Sequence, residues 1–100
     1  MTNKQKVLNF LGLSMRAGKV IIGETLVIEA VRSKKGKLVL LANDTGVNTC
    51  KKITNKARFY RIELIDLFTS NELSKALGKS CKVLAISDKA FSEKLINLSQ

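Results

Sequence analysis

The stretch "KVIIGETLVIEAVRSKKGKLVLLANDTG", residues 19–46, decides the architecture of the chain. Lys19 to Ile22 reads as a short strand that stops at Gly23. From Gly23 the apolar residues Leu26, Val27, Ala30 and Val31 recur at helical spacing, and Lys34-Lys35-Gly36 closes that helix. Leu38 to Ala42 is then continuously apolar, as expected of a strand covered on both faces. Asn43-Asp44-Thr45-Gly46 is turn chemistry. Strand, helix and strand in close succession describe one unit of an alternating α/β fold.

The flanking sequence continues the alternation. Thr2 and Gln5 form a T-x-x-Q capping box ahead of Val7, Leu8, Leu11 and Met15, with Gly18 as the stop. After the turn a helix is expected with Val47, Cys50, Ile53 and Ala57 inward, followed by a strand over Phe59 to Ile62. A second capping box, Thr69 with Glu72, opens a helix carrying Leu73, Ala76 and Leu77 that ends at Gly78. Val83 to Ile86 is the fourth strand, and Ser87 or Asp88 caps a last helix with Phe91, Leu95 and Leu98. The order αβαβαβαβα predicts an α/β fold: a single-domain, three-layer α/β/α sandwich around a four-stranded mixed sheet. With 100 residues, 45% of them hydrophobic, the chain fits one domain over residues 1–100.

Charge narrows the function. Eighteen Lys and Arg oppose eight Asp and Glu, a net charge of +10. A field of that sign favours polyanions. The bases cluster at Arg32, Lys34, Lys35 and Lys37, and again at Lys51, Lys52, Lys56, Arg58 and Arg61, which predicts one basic face. No stretch resembles a membrane span or a convincing secretory signal, so a cytoplasmic protein is expected. Cys50 and Cys81 read as reduced, packed thiols. With no histidine and two isolated cysteines, no metal site or cofactor is expected. "ALGKS", residues 76–80, lacks the first glycine of a phosphate-binding P-loop, and its order is helix, loop, strand. Nothing pairs a base with a nucleophile, so no catalytic residues are assigned.

Three polar, glycine-bearing segments remain: Gly23-Glu24-Thr25, Asn43 to Gly46, and Gly78-Lys79-Ser80. In an alternating sandwich, loops at one end of the sheet meet a ligand, and helix starts offer free N–H groups to anions. Most of the five aromatics sit in apolar patterns that look buried, which disfavours stacking on single strands. No helix is arginine-rich enough for reading the DNA major groove, so DNA is not expected and a structured RNA fits better.

Taken together, "AGKVIIGETL", "KLVLLANDT" and "LGKSCKVLAISD" resemble the ribosomal-protein family called L-seven-A-e, most of all its small bacterial YlxQ-type branch. The resemblance spans roughly residues 4 to 98. It implies a non-catalytic α/β/α sandwich that binds the kink-turn, a bent RNA helix with sheared G·A pairs. Carried over, the RNA-binding residues are Lys19, Gly23, Glu24 and Thr25, then Asn43, Asp44, Thr45 and Gly46, then Gly78, Lys79, Ser80, Cys81 and Lys82. Where better-characterised members carry Gly-x-Asn-Glu, this chain has Thr25 and Leu26, and Leu26 cannot accept a hydrogen bond. A monomer associated with the ribosome or translation is expected. The alternative is a protein-interaction module docking on an acidic or ribosomal partner. Gly23→Val is expected to cost RNA affinity more than stability, unless the backbone there has positive φ.

Overall fold

A computed structural model describes the whole chain, Met1–Gln100. Its elements alternate as α1 (Asn3–Arg16), β1 (Val20–Ile22), α2 (Glu24–Arg32), β2 (Leu38–Leu41), α3 (Val47–Phe59), β3 (Glu63–Ile65), α4 (Ser70–Leu77), β4 (Val83–Ile86) and α5 (Lys89–Ser99). The sheet order is β1-β4-β2-β3. It is mixed: β4 runs antiparallel to both β1 and β2, and β2 is parallel to β3. The expected α/β/α sandwich is therefore observed.

The two central strands show why the layers form. Every residue of β2 and β4 is buried, because successive side chains point to opposite faces and both faces are covered. Leu38, Leu40, Leu84 and Ile86 pack with Val7, Leu11, Leu73 and Leu95 of α1, α4 and α5. Val39, Leu41, Val83 and Ala85 pack with Val27, Val31 and Ile53 of α2 and α3. The polar frame follows the caps. Both capping boxes are present, at Thr2 with Gln5 and at Thr69 with Glu72, and Asp88 rather than Ser87 caps α5.

Sequence and structure part in three places. The expected strand over Phe59 to Ile62 lies instead at Glu63–Ile65. Helix α3 runs on through Phe59 and is closed by Arg61 in the left-handed region, φ 57°, with the Ile62 N–H bonded to the Ala57 carbonyl at 2.8 Å. The aromatic pair Phe59-Tyr60 has strand propensity, but the helix closure overrides it. Leu26 and Val47, expected on inner helix faces, are 58% and 67% exposed, since each sits in a first turn that projects beyond the sheet. Of the aromatics, only Phe68 is fully buried, and Phe59 is 76% exposed.

Two local constraints join the elements. Gly23 has φ 107° and ψ 145°, a conformation open almost only to glycine, and its N–H bonds the Val83 carbonyl at 3.2 Å. The loop after β2 is tied to α4: Asp44 Oδ1 accepts the Ser70 N–H and Oδ2 accepts the Ser70 hydroxyl, both at 2.9 Å. These bonds, the backbone one foremost, hold the Asp44 carboxyl below its usual range.

Two predictions result. Gly23→Ala lowers unfolding free energy by about 1–3 kcal/mol, whereas Gly46→Ala changes it by less than about 1 kcal/mol, as urea titrations will read. The contrast arises because Gly46 has an ordinary φ of −57° and a methyl group there meets nothing. Positive φ at Gly23 likewise turns the expectation for Gly23→Val into a loss of stability. Asp44→Asn melts lower than the parent at neutral pH. A depressed carboxyl stabilises the fold above its unfolded pKa, and that contribution fades as pH falls through the folded value. The gap in melting temperature therefore closes below about pH 4. Equal melting at pH 7 would show that the Asp44–Ser70 link contributes nothing.

Candidate nucleic-acid interface

Because β4 is inserted antiparallel between β1 and β2, its first residues lie beside the last residues of both neighbours. The Gly23 N–H to Val83 carbonyl bond and the Ala42 N–H to Lys82 carbonyl bond, 2.8 Å, close this end of the sheet. Three loops therefore converge around an open groove of about 440 Å³. One wall is Ile22, Gly23 and Glu24, the second is Thr45, Gly46 and Thr49, and the third is Ser80, Cys81, Lys82 and Val83.

The helices that open onto the groove differ from the others. α1, α4 and α5 begin with side-chain caps. α2 and α3 begin at Gly23 and Gly46, with no side-chain cap. Their first backbone helical bonds are Val27 N–H to Gly23 and Cys50 N–H to Gly46, each 2.9 Å. The N–H groups of Glu24, Thr25 and Leu26, and of Val47, Asn48 and Thr49, thus have no partner within their helices. Two positive helix ends face the same side.

Glu24 crosses from α2 to α3. Its carboxylate is lowered in pKa by a hydrogen bond with Thr49 and by Lys52, whose ammonium lies 3.2 Å from Oε2. The sequence carries no sign of Thr49 or Lys52 as contacts, because only the packing of α2 on α3 brings them to Glu24. The third wall is held by Ser74, whose Oγ accepts the Cys81 N–H at 2.9 Å and donates to the Cys81 carbonyl at 3.3 Å. Gly78 ends α4 in the left-handed region, φ 76°, and turns the chain into this loop.

The sequence-derived residues distribute unevenly over this geometry. Gly23, Glu24, Thr45, Gly46, Ser80 and Lys82 line the groove. Thr25, Asn43, Gly78 and Lys79 are exposed around it without lining it. Three further residues sit apart from the groove or are engaged within the fold. Lys19 lies at the far end of β1, about 13 Å from Gly23 at the extended rise, where its carbonyl accepts the Ser87 N–H. The Asp44 carboxylate is occupied by Ser70. Cys81 borders the groove but is only 3% exposed, with its thiol bonded to the Val83 carbonyl, and burial pushes that thiol up to about 11. A larger concavity of about 600 Å³ lies between α1 and α4, lined by Arg16, Glu72 and Lys75, where the start of α4 is already satisfied by the Thr69–Glu72 capping box.

Comparison with known proteins agrees with this architecture. The model of the ribosomal protein L7Ae/L30e/S12e/Gadd45 family matches residues 5–96. The chain is 44% identical over 92 residues to RNA-binding protein YlxQ of Enterococcus faecium, covering 92% of this chain and 89% of that one. It is 42% identical over 89 residues to RNA-binding protein YlxQ of Bacillus subtilis strain 168, covering 88% and 89%. A solved structure of a Bacillus halodurans protein superposes with a TM-score of 0.89 at 36% identity, covering 93% of this chain and 95% of that one. The chain belongs to the ribosomal protein L7Ae/L30e/S12e/Gadd45 family.

Proposed function

We propose that this protein is a non-enzymatic RNA-binding protein that recognises a kink-turn or similar G·A-containing structured RNA, as a cytoplasmic monomer associated with translation. The observation that carries the reading is the convergence of two glycine-started helices and the Lys82 loop on one groove, in a chain of net charge +10. The YlxQ relatives, which are RNA-binding proteins, support RNA as the ligand.

Each part of the groove then has a task. Unpartnered N–H groups of α2 and α3 hold phosphate oxygens. Lys82 in the wall and Lys79 beside it neutralise the backbone and release counterions. Thr25, exposed in the first turn of α2, is the polar side chain free to reach a base edge. Glu24 is a positioning residue: its pairing with Thr49 and Lys52 sets the angle between the two helix starts. Leu26 and Val47 add exposed apolar surface beside the polar groups, suited to sugar and base faces.

The test is a titration of the full chain with a kink-turn RNA and with the same duplex in which the G·A pairs are made Watson–Crick. The kink-turn is expected to bind tighter, and affinity for it to fall steeply with salt. Lys79→Ala and Lys82→Ala are each expected to weaken binding and reduce the log–log salt slope by about one. Equal affinity for the two RNAs would sink selectivity for G·A pairs, and binding to neither would sink the RNA reading.

A further inference from the structure

The groove uses only the first turns of α3, yet the basic character of that helix continues to its other end. From Thr45 to Ile62 the chain contains no acid and carries Lys51, Lys52, Lys56, Arg58 and Arg61. Lys51, Lys52, Asn55, Arg58 and Phe59 are all exposed and fall on one side of the helix, opposite buried Ile53 and Ala57. Only Lys52 of these cations is ion-paired, with Glu24 at the groove. The track thus begins just beyond the groove and runs about 12 Å along α3 at the helical rise.

It ends in an aromatic group. Phe59 is 76% exposed, an unusual state for phenylalanine. It is not a loose side chain: the Tyr60 ring meets it edge-on, with centroids 4.9 Å apart, and Tyr60 itself packs against the α2–α3 core. Arg58 precedes the pair and Arg61 follows it, the latter fixed by the left-handed closure of α3. A braced aromatic flanked by free guanidinium groups is what an unpaired base requires: a π-face to stack on and cations for its phosphates.

We propose that the outer face of α3 is a second RNA contact, in which Lys51 and Arg58 follow the backbone away from the groove and Phe59 stacks on an unpaired nucleotide. It rests on the RNA reading of the groove and extends it to a composite target: a structured element joined to a single-stranded segment. The unpaired cations Lys51, Arg58 and Arg61 lie on or just past the helix whose start opens the groove, which favours continuation of the same nucleic acid over a separate acidic protein at this face.

The experiment compares two probes against the full chain: a kink-turn hairpin, and the same hairpin with a short tail of unpaired uridines on either stem. The tail is expected to raise affinity roughly tenfold, the order of one base stacked on an aromatic ring. Phe59→Ala is expected to abolish that gain while binding the bare hairpin as the parent does. The double variant Lys51→Gln with Arg58→Gln reduces both the gain and the salt slope. Arg61→Gly relieves a left-handed residue, so it folds at least as well and still loses part of the gain. If all three variants retain the full gain, or the parent gains nothing from the tail, the α3 contact is overturned and the patch is left to a protein partner. Failure of the parent to bind either probe overturns it together with the groove reading. Loss in Lys82→Ala, with the tail's gain intact in the α3 variants, overturns the α3 contact alone.

Discussion

The insertion of β4 between β1 and β2 is the constraint on which the rest of the structure depends. It is the last strand in the chain, yet it pairs antiparallel with both neighbours, and its four residues are buried on both faces. Its register sets Val83 beside Leu41 and Leu84 beside Ile22. One end of the sheet is thereby closed by backbone bonds from Gly23 and Ala42, and the loops after β1 and β2 and before β4 have no choice but to meet. The same insertion divides the helices, with α1, α4 and α5 on one face and α2 and α3 on the other.

Capping shows a division of labour between the layers. Where helices serve only the fold, Thr2, Thr69 and Asp88 satisfy their starting N–H groups. The Thr69 box is reinforced by Lys4, 2.7 Å from Glu72, which together with the Thr69 backbone holds that carboxyl below its usual range. Where helices meet at the groove, glycine stands in place of a cap and no side chain satisfies the first N–H groups. A glycine start costs only about a few tenths of a kcal/mol relative to Ser or Asp, yet it leaves the first N–H groups open. Its presence at α2 and α3 but at none of the other helices is physically sensible if an anion completes them.

Much of this was legible in the sequence because it depends on local chemistry. The capping boxes, the glycine stops at Gly18 and Gly78, and the continuous apolar runs of β2 and β4 each follow from residues a few positions apart, whereas α2 ends at Arg32 with Lys34 rather than Gly36 in the left-handed region. The alternation they define gives the sandwich. The third strand is hard to place from sequence because Phe59 and Tyr60 have strand propensity, and only the closure at Arg61 shows that the helix continues. The site was less legible because its finer geometry is tertiary. Asp44 meets Ser70 across 26 residues, and Glu24 meets Lys52 across 28. Lys19 stands close to Gly23 in sequence, yet the extended strand carries it to the opposite end of the sheet. The exposure of Phe59 had no signature in its apolar neighbours.

The Ser74 hydroxyl has a consequence beyond holding a loop. By bonding both the N–H and the carbonyl of Cys81, while its own backbone carbonyl accepts the Gly78 N–H, Ser74 pins both ends of the short segment that carries Lys79, and Lys82 follows directly with its carbonyl held by the Ala42 N–H. A segment fixed in this way surrenders little conformational freedom when a ligand arrives. The entropy lost on association then falls chiefly on the lysine side chains and on the nucleic acid. An RNA already bent before it meets the protein would keep most of its contact energy as affinity, whereas one bent only on binding would lose part of it to its own ordering. Discrimination among RNAs would then reside as much in their free flexibility as in the bases they present.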